Sequence, residues 1–210
     1  MSHNHWSSNQ LSATLRDAIF FLCFCVAPGH AAARTPSEII QETVNSVLST
    51  LQNSTLNDDS KRRQVKGIIS DHFDYRAMSS RVLATNWKQT DQAQRRRFTS
   101  LFKELLTNTY WRKISGYDDE TVEVVGEKIR NGKLATVNTL IRTGTVDIPV
   151  DYKLYRRDDG TWRAYDVVIE QVSLVRNYRG SFQTIVHDVG IEGLLTQLAT
   201  KVAQSSEPAQ

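Results

Sequence analysis

Apolar residues recur at helical spacing through the first half of this chain and then at strand spacing. Residues 35–53 open with Pro36-Ser37-Glu38, a helix start, and carry Ile39, Ile40, Thr43, Val44, Val47, Leu48 and Leu51 on one stripe. A second helix holds Val65, Ile68 and Ile69 and ends near Phe73; a short third one, 75–83, presents Met78, Val82 and Leu83. Asp91 followed by Gln94 reads as a capping box, whose side chains close the unpaired amides of a helix start. The helix it opens has the strongest stripe in the chain: Phe98, Leu101, Phe102, Leu105, Tyr110 and Ile114, closed by Gly116.

From residue 121 the period falls to two. Residues 121–129, 133–142, 145–156 and 161–169 read as four strands. Asn131-Gly132, Thr143-Gly144 and Asp158-Asp159-Gly160 separate them, residue types that tight hairpins require. In the third strand Val146, Ile148, Val150, Tyr152 and Leu154 alternate with Asp147, Asp151 and Lys153, so one face is buried and one wetted. Pro149 lies on the outer face and lacks an N–H, which predicts a bulge or an unpaired edge beside it. Tyr165, Val167 and Ile169 alternate as a strand; from Val172 the apolar positions (Val172, Val175, Phe182, Ile185) take helical spacing. The pattern predicts a strand running directly into a helix that reaches about Val186, then a last helix over 191–203. Helices, an antiparallel meander and helices again make an α+β domain, with helices packed on one face of a curved four-stranded sheet.

The first 33 residues stand apart. Arg16 precedes a short apolar run, 18–27; Pro28-Gly29 breaks it, and Ala31-Ala32-Ala33 supplies small residues for cleavage. This is the layout of a secretory signal peptide, and the run is too short to span a bilayer, which takes roughly 20 residues. The expectation is a leader over 1–33 cut after Ala33, a single domain over 34–203 and a polar tail over 204–210. Both cysteines, Cys23 and Cys25, fall in the leader, so an exported chain has no disulfide, thiol nucleophile or thiolate ligand.

Charge adds little. The net formal charge is +3, and the runs Lys61-Arg62-Arg63 and Arg95-Arg96-Arg97 sit at polar helix ends as solvated faces. Without a wider basic stripe or a binding motif, nucleic acid is not an expected partner. Outside the leader the histidines are His72 and His187, with no metal-ligand spacing. Ser181, His187 and Asp188 lie on neighbouring helix turns, the wrong geometry for a triad, and His72 between Asp71 and Asp74 has no nucleophile. Glu120, Glu123 and Glu127 read as strand-edge carboxylates. No catalytic residue, metal or cofactor is expected.

What the chain has is bulky apolar side chains, and periodicity does not separate a filled core from a hollow one. Four motifs bear on this. Phe73-Asp74-Tyr75 is followed by Met78, Val82-Leu83 and Trp87. Arg97-Phe98 then begins an F-x-x-x-F-x-x-L-L-x-x-x-Y helix through Phe102, Leu105-Leu106 and Tyr110. Tyr165-Asp166-Val167 leads to Val172-Ser173-Leu174, Asn177-Tyr178-Arg179 and Phe182, and Gly193-Leu194-Leu195 with Leu198 closes the chain. In this order they resemble the MlaC family of periplasmic phospholipid-binding proteins, also known as toluene-tolerance or ABC-transporter auxiliary proteins. Gln171 departs from it, standing where members often have glycine.

The resemblance implies one apolar cavity between sheet and helices that takes phospholipid chains, and no enzymatic residues. On the helices the expected lining is Phe73, Met78, Val82, Phe98, Phe102 and Leu105. Val146, Ile148, Val150 and Tyr152 follow from the third strand, and Tyr165, Val167, Val175 and Phe182 from the strand-to-helix segment. It also implies a periplasmic monomer serving an outer-membrane lipoprotein complex and an inner-membrane ABC transporter with its substrate-binding ring. A hopanoid or other isoprenoid carrier, a non-lipid periplasmic adaptor with a filled core, and a small-molecule enzyme remain open as alternatives. Asp166 and Arg179 are expected to pair and fix the angle at which the helix leaves the sheet.

Overall fold

In the computed structural model, residues 34–117 and 119–206 are described; the expected leader and its cleavage point lie outside them. Each early helix starts on a side-chain cap. Thr35 and Glu38 form a capping box on α1 (Pro36–Gln52), and Asn57 accepts the Ser60 amide of α2 (Asp58–His72) at 2.9 Å. Asp74 accepts the Ala77 amide of α3 (Tyr75–Leu83) at 2.7 Å. A 3₁₀ stretch, Ala84–Gln89, leads to α4 (Gln92–Ile114), where Asp91 and Gln94 exchange bonds of 2.8 and 3.0 Å, as the sequence predicts. Such caps satisfy the first amides of a helix, which no residue of the helix itself can accept.

The strands β1 (Thr121–Arg130), β2 (Leu134–Arg142), β3 (Asp147–Arg156) and β4 (Trp162–Ile169) form an antiparallel meander. A fifth strand, β5 (Val172–Ser173), corrects the expected count of four, and the order is β1-β2-β3-β4-β5. β4 therefore does not run straight into a helix. Glu170 and Gln171 take φ of 48° and 69°, a two-residue reversal that pairs Ile169 with Val172. A Glu-Gln pair is not a turn signal, which hides this hairpin from the sequence. After it, α5 (Leu174–Ser206) runs to the end of the described chain, broken at Gly190 (φ 70°) between the two helices expected there.

No bulge forms at Pro149. Its ladder to β2 is unbroken, with Leu140 opposite. On the other side the ladder to β4 stops at Val150, and Pro149 keeps one bond, accepting the Glu170 amide at 3.0 Å. The missing N–H thus falls where β4 has ended. Bulges lie instead between Val124 and Gly126 of β1, and at Tyr165, the extra residue in β4 opposite the Lys153–Leu154 step.

Two further expectations change. Val146 sits in the β2–β3 turn, outside β3, and is 60% exposed. Asp166 is buried but does not meet Arg179: it accepts the Ser173 hydroxyl at 2.7 Å and the Val175 amide at 3.0 Å, with Lys153 Nζ at 3.7 Å. Arg179 Nε donates to the Arg81 carbonyl at the end of α3, 2.8 Å away. Asp166 therefore anchors the first turn of α5 to β4 by itself, through Ser173, whose hydroxyl accepts the Arg176 amide.

Candidate functional site

The apolar interior has two parts. In one, Met78, Val82, Leu83, Phe98, Phe102, Leu105, Leu106, Val175, Phe182, Leu194, Leu195 and Leu198 pack α3, α4 and both arms of α5 together. Phe98 lies 5.7 Å from Phe102 and 5.8 Å from Phe182 between ring centroids, spacings of direct aromatic contact. This part is filled.

The other part is hollow. A space of about 310 Å³ lies between the sheet and helices α2 and α4. Val65 and Ile69 face it from α2, Leu106, Tyr110 and Ile114 from α4, and Ile141, Ile148, Val150, Tyr152, Val167 and Ile169 from β2, β3 and β4. Phe73, Tyr75, Met78, Trp111, Tyr117 and Leu174 complete the apolar wall, and Arg62, Lys66, Thr107, Lys113 and Glu170 also border the space. Lys113 and Glu170 are exposed, so the opening lies between the end of α4 and the end of β4. A second space of about 150 Å³ runs under α1, bordered by Ile40, Thr43, Val44, Val47 and Leu48. The two share Ile69, Phe73, Ile114, Tyr117, Ile141 and Tyr152. The Phe73 and Tyr152 rings at that shared wall stand edge to face, 6.4 Å apart.

Local chemistry holds the walls in position. The Asp74 amide donates to the Ala164 carbonyl at 2.8 Å, and Phe73 bridges to Ala164, so the α2–α3 junction is fastened to β4. Tyr155 donates from its hydroxyl to the other oxygen of Asp74. Lys66 of α2 pairs with Glu104 of α4, and Arg62 donates to Asn108, so α2 is also tied across to α4.

Four tyrosines border the larger space. Burial pushes the phenols of Tyr75, Tyr110 and Tyr152 up to about 12, and that of Tyr117 upward. All four stay neutral near pH 7, as donors and acceptors of hydrogen bonds.

Of the expected lining, Phe73, Met78, Ile148, Val150, Tyr152 and Val167 border the larger space. Val82, Phe98, Phe102, Leu105, Val175 and Phe182 are in the filled cluster, with Tyr165 packed against it. The bulge accounts for Tyr165: its ring lies under the Arg81 guanidinium, 4.2 Å from centroid to carbon. Sequence reasoning did not single out Val65, Ile69, Leu106, Tyr117, Ile141 or Leu174, nor the α1 residues of the second space, as lining. The only available signal was that the α4 stripe turns from phenylalanine to tyrosine after Leu106.

Ser181, His187 and Asp188 are all exposed on α5, and His187 Nδ1 is 3.1 Å from its neighbour Asp188. Among the described residues no group of three or more His, Cys, Asp or Glu is placed to hold a metal ion. The site offers containment, and its chemistry is that of an apolar chamber edged with phenols.

Comparison with known proteins adds the following. The family model described as MlaC protein matches residues 41–200. The chain is 24% identical over 189 residues to the intermembrane phospholipid transport system binding protein MlaC of Haemophilus influenzae, covering 86% of this chain and 88% of that one. It is 22% identical over 187 residues to the toluene tolerance protein ttg2D of Pseudomonas putida, covering 85% and 86%. Its fold matches that of a phospholipid-binding protein from Ralstonia solanacearum, solved in complex with a phospholipid. There the TM-score is 0.77 at 20% identity, over 83% of this chain and all of that one.

Proposed function

The chain belongs to the MlaC family, and from that membership we propose that it is a periplasmic carrier of phospholipid. The acyl chains lie in the space between the sheet and α2 and α4, against Phe73, Met78, Ile148, Val150, Tyr152 and Val167, while the headgroup stays in water at the mouth. The observation that carries this reading is the apolar chamber itself, in a fold whose Ralstonia relative was solved with a phospholipid. Val82, Phe98, Phe102, Leu105, Val175 and Phe182 act as the rigid block against which the chamber is built.

Physical chemistry supports the role. Exposing lipid chains to water costs about 0.8 kcal/mol per CH₂, so ~30 methylenes amount to more than 20 kcal/mol. A carrier removes that cost by supplying apolar walls, yet it must not hold lipid much more tightly than a bilayer does, or it would not release it. A passive carrier equilibrates, so direction comes from the partners it meets. These are, in this reading, an outer-membrane lipoprotein complex that exchanges lipid with it and an inner-membrane ABC transporter whose substrate-binding ring does the same. The protein works as a monomer and performs no covalent chemistry.

Native mass spectrometry of the exported protein, followed by extraction and identification of bound lipid, tests the proposal. A stoichiometric diacyl phospholipid is the expected result. A polycyclic isoprenoid in its place would make the protein a hopanoid carrier, and reproducible absence of lipid would make it an adaptor.

A further inference from the structure

Three of the phenols that border the larger space, Tyr110, Tyr117 and Tyr152, have hydroxyls with no protein hydrogen-bond partner among the described residues. They are not sealed in. Among the described residues Ser79 Oγ is the fully enclosed side-chain oxygen without a partner, so these three hydroxyls open onto free space. A tyrosine withdrawn from water normally finds a partner for its hydroxyl, because a lone buried donor is costly. The filled half of the interior has phenylalanine at the comparable positions of the same helix, Phe98 and Phe102, where no ligand could satisfy a hydroxyl. Tyr178, which packs on that filled cluster, has a protein partner in Thr109; those three phenols of the chamber have none among the described residues and are left for something other than protein.

Position says what that something is. Tyr110 and Tyr117 flank Lys113, which is exposed at the end of α4, so they stand just inside the mouth. Tyr152 belongs to β3, two paired positions further from the end of β4 than Val150, and packs in the same cluster as Tyr110; burial and then the nearby Tyr117 phenol push its own phenol up. The hydroxyls therefore lie between the wet rim, where a charged headgroup belongs, and the methylene-lined interior. In an amphiphile whose chains point inward, that level is occupied by the linkage between headgroup and chains. A neutral phenol donates well to a neutral carbonyl oxygen. Burial keeps Tyr110 and Tyr152 protonated up to about pH 12, so they remain donors throughout the physiological range.

We propose that the hydroxyls of Tyr110, Tyr117 and Tyr152 recognise the ester carbonyls of the bound lipid, so that the chamber selects acyl esters over ether-linked lipids of the same shape. The inference rests on the carrier reading above and narrows its ligand to ester-linked amphiphiles.

The test is a competition between dioleoyl phosphatidylglycerol and its diether counterpart with the same chains and headgroup, offered together in mixed vesicles. Bound lipid is read by native mass spectrometry. The wild-type protein is expected to take the diester about three- to tenfold in excess, the discrimination that one or two neutral hydrogen bonds give. The triple variant Tyr110→Phe, Tyr117→Phe, Tyr152→Phe keeps the rings and should take both lipids equally, whatever its total uptake. Tyr152→Phe alone should lose part of the preference, and it provides the reading if the triple variant folds poorly. Equal uptake by the wild type overturns the proposal, and so does a full preference retained by the variants. Uptake of neither lipid overturns the carrier reading and this one with it, an outcome distinct from equal uptake of both.

Discussion

Helix α4 passes through both halves of the interior, and its two ends solve different problems. Its first half puts Phe98 and Phe102 into a cluster where every ring meets another: Phe102 lies 5.2 Å from Tyr178 and 6.0 Å from Phe182. Its second half puts Leu106, Tyr110 and Ile114 beside open space. The stripe runs through without a change of period, yet one end holds the fold together and the other holds a vacancy. Apolar patterning thus specifies which way a side chain points; what it meets depends on the volume the other elements leave.

Large-to-small substitution in the filled half should break this contrast most strongly. Phe102→Ala removes a fully buried ring and leaves a cavity that the neighbours cannot close, at about 3–5 kcal/mol, read as a drop in the denaturant midpoint. A loss below 1 kcal/mol would mean that this half is loose as well. The hollow half responds to alkali. The phenols of Tyr75, Tyr110 and Tyr152 titrate near 12 when folded and near 10 when unfolded. Their contribution to stability is complete below pH 10 and is lost as pH rises through about 12, because the unfolded chain releases those protons first. Melting temperature followed against phenolate absorbance should show the decline in that window, and a flat profile would contradict their burial.

Asp166→Ala should cost about 2–3 kcal/mol, since it strands the Val175 amide and the Ser173 hydroxyl. Arg179→Asp in the Asp166→Arg background should restore none of the stability that Asp166→Arg loses, because the two side chains have separate partners. Val150→Trp sharpens the comparison from the hollow side. In a filled core such an insertion costs about 1–3 kcal/mol; here it should cost under about 1 kcal/mol and reduce co-purified lipid. Lipid content unchanged with a lowered melting temperature would favour an adaptor. The smallest effect is a gain. Gln171 holds a left-handed φ of 69° that glycine adopts freely, so Gln171→Gly should stabilise by about 1 kcal/mol. Destabilisation would show that the Gln171 side chain does more than occupy the turn.

Much of the frame was legible because its signals are local. Asp91 and Gln94 sit three apart, and Asn131-Gly132 can hardly be anything but a turn; capping and hairpin chemistry need only neighbours. The bulge at Tyr165 was not legible, since Tyr165, Val167 and Ile169 alternate in sequence whether or not an extra residue is inserted between Ala164 and Asp166. The Glu170-Gln171 reversal lacked a turn residue for the same kind of reason: tertiary pairing of β5 holds a conformation that these residues disfavour. Asp166 was assigned a charged partner, although closer donors, Ser173 and the Val175 amide, were available within nine residues. The division of the lining was hidden because Leu105 and Leu106 both pack into the buried cluster, and only the three-dimensional course of α4 lets Leu106 border the chamber as well.

Asp74 makes the chamber wall measurable. Its amide donates to Ala164, its carboxylate caps α3 and accepts from Tyr155, and α2 ends two residues before it. An α2 swung away from the sheet would have to break that amide's bond together with the Lys66–Glu104 and Arg62–Asn108 ties to α4, so the wall hangs like a door with this junction as one of its pins. Solvent deuterium can replace the Asp74 proton only while the pin is drawn. The exchange rate at this single position therefore works as a clock for the door, and comparing it between empty and loaded protein counts how often the chamber opens in each.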